Sequence, residues 1–218
     1  MTTTSAPVTT STTTLTSAPD TDLPGRRTLV GLSAAYLVLF VALFLLSGGE
    51  IANDARGSTV IKEFSGSHLF VQVTGYGMVV AAAIVVFWGT ALRRRLGGTW
   101  TADLVAAGAL AMGITLVGWV VTAFALMHAV DTGVPEVAQA VNILDNSNFV
   151  PAMLALTCMM IGAGLSGLRS GRLPRWLAVA SIVLGALAPL GPGAFLPFAL
   201  FPLWAVVVST QVRLDPTR

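Results

Sequence analysis

The chain has 218 residues, of which 55% are hydrophobic and 10% charged, with a mean hydropathy of +0.81 and a formal net charge of +2. This balance excludes an ordinary soluble domain, and a chain of this length spread over several membrane spans leaves little for a separate globular unit. The single cysteine, Cys158, excludes an intramolecular disulfide and any CxxC or Cys-His metal framework.

Residues 1–25 open with "MTTTSAPVTTSTTTLTSAP", a run of Thr, Ser, Ala and Pro with no apolar face to repay the entropy of ordering, and are read as a disordered cytoplasmic tail. The next run, "LVGLSAAYLVLFVALFLL" (29–46), is too long for the core of a secretory signal and is read as the first transmembrane helix, with Arg26 and Arg27 as its inner anchor. Five further apolar runs follow at about 69–92, 104–127, 149–168, 175–190 and 194–212, none with a charge at its centre. At about 1.5 Å per residue against a hydrocarbon thickness of about 30 Å, the second, third and fourth runs span readily. The last two are short, are separated by "LGPG", and carry Pro197 and Pro202, so they read either as two thin or kinked spans or as one re-entrant hairpin.

The expected fold is therefore all-α: a polytopic bundle of six transmembrane helices over 26–213, with a short C-terminal tail at 214–218. Orientation follows from the positive-inside rule, which counts Lys and Arg in short loops. With the N-terminus inside, ten of the twelve basic residues fall on the inner side and only Arg56 and Lys62 outside, while Glu50, Asp54, Glu63, Asp131, Glu136 and Asp145 lie on the outer side. Both termini are expected in the cytoplasm, and the protein in the plasma membrane.

The cluster "LRRRL" invites a reading as a site for anionic lipid headgroups or nucleic acid, but an inner loop after a span is where such a run belongs. Anionic lipid is retained as a partner of these arginines, and no nucleic acid is expected. Trp88, Trp100 and Trp176 near the same boundary read as aromatic anchors, and Asp103 suits the first turn of the third span. Small residues recur at four-residue spacing, as in Ala109 with Gly113, Gly162 with Ser166 and Ser181 with Gly185, which lets helices approach closely in lipid.

Catalytic patterns are poor. "GLSG" (164–167) resembles the segment around the nucleophile of rhomboid-type proteases, but Ser166 lies near the inner end of its helix while His68 and His128, the only histidines, lie at the outer ends of theirs. A nucleophile needs its base within hydrogen-bond reach. There is no phosphate-binding glycine loop and no H-E-x-x-H. No cofactor is expected, and the chain reads as non-enzymatic.

Polar residues gather at the outer rim instead. His68 and Gln72 are four apart, His128 and Asp131 three apart, and each pair can share a helical face. With Asp145 and Asn148 they form the candidate outer vestibule of an accessory protein or small-solute carrier. His68 and Gln72 are expected to face inward, towards His128 or the segment carrying Asp145, because polar atoms turned to hydrocarbon would go unsatisfied. Asn148 or Ser147 is expected to cap the fourth span, with Pro151 in its first turn. The alternative function is a metal- or haem-binding membrane protein using His68 and His128, although no local spacing enforces coordination.

"FWGTALRRRL" at the end of the second span, the entry "LPRWL" (173–177) and the closing "FPLWAVVVS" (201–209) carry a resemblance. Over about 29–213 the chain resembles the small six-span integral membrane proteins of high-GC Gram-positive bacteria that are grouped as a domain of unknown function. The heavy use of Ala, Val, Leu, Gly and Arg agrees with a GC-rich genome. The resemblance implies a six-span fold and carries over no catalytic or binding residue.

Overall fold

The computed structural model describes residues 25–46, 51–52, 54–190 and 195–213. The disordered-tail reading of 1–25, for all but Gly25, the C-terminal tail, Glu50 and most of "LGPG" lie outside the described residues. Those described are helical, in the order α1 (Arg26–Leu46), α2 (Gly57–Phe64), α3 (His68–Leu96), α4 (Trp100–Thr132), α5 (Pro135–Ser147), α6 (Phe149–Ser170), α7 (Arg175–Leu187) and α8 (Phe195–Gln211). Four stretches are long and apolar enough to cross a membrane: α1, α3, α4 and the joined pair α5–α6. These mark a membrane protein. The two remaining apolar helices, α7 and α8, are shorter, about 20 Å and 25 Å.

The long helices overrun their apolar runs. At 33 residues α4 is about 50 Å long, so it exceeds a hydrocarbon layer of about 30 Å. The segment read as a polar rim before the fourth span is itself a helix, α5, started by Pro135 in its first turn. It runs into α6 with a break at Asn148. Pro151 lacks the amide that would bond the Ser147 carbonyl, and Ser147 donates its hydroxyl back to the Ile143 carbonyl at 2.7 Å.

Contact is most extensive between α3 and α4, then α4 and α6, then α6 and α7. Glycines set these seams. A β-carbon at Gly108 would lie 2.7 Å from the Ala155 carbonyl oxygen, one at Gly162 2.8 Å from that of Thr101, and one at Gly164 2.5 Å from that of Ala178. Backbone therefore packs on backbone, which the small-residue spacing anticipates for Gly162. Ser166 lies in the same α4–α6 seam, fully buried, and donates to the Thr101 hydroxyl at 2.8 Å. No histidine is near it in the seam, and the hydroxyl serves packing.

One end of the bundle gathers arginines. α3 and α6 stop there at Gly97 and Gly171, both at positive φ, which frees the chain to turn sharply. Arg26 donates to the Thr210 carbonyl, the Arg213 amide to the Arg172 carbonyl at 2.8 Å, and Arg169 lies over the Trp100 ring at 5.2 Å. Asp103, in the first turn of α4, takes Arg93 at 2.5 Å. Trp100 and Trp176 are both 62% exposed at this end. Trp88 differs from its expected role as an anchor: it is 2% exposed and donates its indole N–H to Ser209 at 2.8 Å. An interior partner for the N–H removes any need to reach the headgroups.

At the opposite end α2, α5 and the end of α4 form a small cap with its own core of Val60, Leu126, Val130 and Ala138. Gly57 sits so close to the Pro135 backbone that no β-carbon fits between them.

Candidate functional site

The cap end holds the rim residues, and α4 sets their depth. Counted along α4 from Asp103, Thr122 is about 28 Å away and Asp131 about 42 Å. A hydrocarbon layer of about 30 Å starting at Asp103 would thus end near Thr122 and leave Asp131 well beyond it. The six rim residues do not converge. They divide into two polar groups and two isolated side chains.

The outer group is His68 with Asp131. The Nε2 atom of His68, in the first turn of α3, lies 3.0 Å from Asp131 Oδ1 near the end of α4. Both side chains are nearly half exposed, at 46% and 47%, so water competes for each. The contact links the ends of two antiparallel helices.

The inner group is built on Thr122. Its hydroxyl donates to the Asp145 carboxylate and accepts from Asn148 Nδ2 at 2.8 Å, while Trp119 Nε1 donates to the Asp145 backbone carbonyl at 3.2 Å. All four residues are half-buried. The break between α5 and α6 makes this possible, because it places Asp145 and Asn148 on the same hydroxyl of α4. Asn148 is in helical conformation and forms no cap bond; its side chain is committed to Thr122. The expected cap by Asn148 or Ser147 is therefore absent: a cap needs extended backbone, and Asn148 is helical, with its amide nitrogen turned to Thr122.

Gln72 and His128 stand apart from both groups. Each is exposed, and neither has a hydrogen-bond partner among the described residues. The expectation of an inward-facing His68–Gln72 pair is corrected in this respect: His68 meets Asp131 rather than His128, and Gln72 points out. Water around a helix end projecting past the hydrocarbon satisfies an amide that lipid would not. Among the described residues no three of His, Cys, Asp and Glu are gathered as a metal centre requires.

Two residues outside the sequence expectation complete the surroundings. Trp119 meets Phe198 of α8 edge to face at 5.9 Å, and Phe198 also meets Phe149 at 5.6 Å and Phe40 of α1 at 5.7 Å. Phe198 thus closes the bundle beneath the Asp145 group. Pro202 lies within α8 and leaves the Phe198 carbonyl without its helical donor. The proline was visible in the sequence, whereas the rings around Phe198 come from α1, α4 and α6. No family model, curated protein or solved structure matches this chain.

The arrangement offers hydrogen-bond acceptors and donors at the edge of an apolar interior, over an aromatic floor. Carboxylate, amide and ring faces are the groups by which proteins contact small polar or cationic solutes. It contains no nucleophile with a base in reach.

Proposed function

We propose that the chain is a six-span protein of the plasma membrane with both termini cytoplasmic, akin to the small six-span proteins of high-GC Gram-positive bacteria. It acts without catalysis, as a small-solute carrier or an accessory to one, and its polar vestibule faces outward. The vestibule is the Asp145–Thr122–Asn148 group rather than the whole rim. One observation carries this reading: a half-buried carboxylate group sits at the break between α5 and α6, over a cluster of aromatic rings. Interrupted helices beside polar groups are how carriers build sites within a membrane.

The six-span count rests on α7 and α8. Phe195 stacks on Phe149 at 4.8 Å, level with the start of α6, and Thr210 returns to Arg26 at the arginine end. That course favours a thin span over a re-entrant loop. The arginines of the inner face take anionic lipid headgroups.

Cysteine labelling in intact cells tests orientation and vestibule together, on a Cys158→Ser background. A membrane-impermeant maleimide should label Lys62→Cys, and should label Arg94→Cys only after permeabilisation. The reverse pattern would overturn the topology. Asn148→Cys should label from the Lys62 side. If Lys62→Cys labels and Asn148→Cys stays silent, the carrier reading fails while the orientation stands.

A further inference from the structure

We propose that the outward face of α7 is a binding groove for one anionic phospholipid, with Arg175 holding the headgroup phosphate. The groove deepens the lipid partnership above and rests on that membrane reading. α7 turns Leu177, Ala178, Ser181 and Gly185 into the bundle. Its other side is an open apolar groove lined by Val179, Ala180, Val183 and Leu184, and it ends at Trp176 and Arg175. From Arg175 to Leu184 the groove runs about 14 Å, enough for the upper part of an acyl chain.

Charge selects the occupant. The described residues of this end include nine arginines, from Arg26 to Arg213, and one acid, Asp103, which is taken by Arg93. Arg175 is exposed and forms no ion pair among the described residues. An indole beside it sits at the depth of headgroups, where its ring packs on glycerol and its N–H reaches water. A second copy of the chain is a poorer occupant. Related by a twofold axis along the membrane normal, it would set Arg175 and its cationic neighbours against their own equivalents.

The test uses the full chain in vesicles containing brominated phosphatidylglycerol or brominated phosphatidylcholine at equal mole fraction. Quenching of Trp176 is read as the difference between the wild type and Trp176→Phe. Phosphatidylglycerol should be favoured about fivefold, the factor that one arginine near the surface supplies. Arg175→Lys should keep the preference, Arg175→Gln should lose it, and Ala180→Leu, which fills the groove, should reduce it. Equal quenching by the two lipids overturns the proposal. So does a preference that survives Arg175→Gln, or one that survives Ala180→Leu and so belongs to the diffuse charge of the whole face. Both leaflets carry the same lipid, so the result does not depend on orientation, and a failure of the topology appears only in the cysteine labelling.

Discussion

The seams between α4, α6 and α7 and the cap over the far end are both places where glycine lets backbones meet, yet they are held differently. In the seams the close approach repeats at Gly108, Gly162 and Gly164, and large buried side chains such as Met159, Met160 and Leu156 flank it. In the cap a single close approach, Gly57 on Pro135, is backed by four buried residues. Burial supplies about 1.5–3 kcal/mol for each large apolar side chain taken from water, so a core of Val60, Leu126, Val130 and Ala138 offers a modest hold. The cap also stands where water replaces lipid. A bundle whose backbones pack on one another thus carries an end piece with a small core of its own, and the polar groups straddle the boundary between them.

Breaking a seam should have the largest effect. Gly164→Val places its β-carbon 2.5 Å from the Ala178 carbonyl oxygen on α7, a backbone atom that cannot rotate away, and 2.6 Å from the Ile182 side chain. Overpacking of this kind costs about 1–3 kcal/mol or more, and here it parts two helices. The expected result is a marked loss of the monodisperse peak on heating in detergent. A variant as heat-resistant as the wild type would contradict the backbone contact between α6 and α7.

Gly57→Ala should sharpen the contrast. Its methyl group collides with the Pro135 backbone, so α2 should leave α5 while the bundle survives. Amide hydrogen exchange should rise across 57–64 and 135–147, and α3, α4 and α6 should keep their protection. If protection fell throughout, cap and bundle would be a single cooperative unit.

The smallest effect is expected at the His68–Asp131 contact. His68→Ala removes a contact between two half-exposed groups, worth about 1 kcal/mol or less. Thermal stability should shift little, and Asp131→Ala in the same background should add nothing further. A large loss from either change would mean that the pair fastens the cap, contrary to its exposure.

Much of the fold was legible because lipid is a uniform solvent that reads hydropathy segment by segment. The apolar runs mark α1, α3, α4, α6, α7 and α8 to within a few residues at most ends, and nine of the ten described arginines gather at one end. The site was far less legible. His128 and Asp131 share a spacing that places them on one face, but Asp131 turns to His68 and His128 turns to water. Asp145 and Asn148 were singled out, yet Thr122, which joins them, and Trp119 and Phe198, which lie beneath, carry no local signal.

By itself the sequence determined the class of the protein, the course of its apolar helices and the split of charge between its two ends. Each of these follows from a property summed along a segment: transfer of apolar side chains out of water, or the number of arginines in a loop. Only the tertiary structure decided which side of each helix packs. In a membrane the residues facing lipid and those facing protein are equally apolar, so no stripe along the helix separates them. That is why Trp88 turned inward to Ser209 while Trp176 stayed out, and why the break at Asn148 places two polar side chains on Thr122. Contacts between residues distant in the chain made those choices, through hydrogen bonds that a buried polar atom must find and glycines that let the partner helix come close enough to supply them.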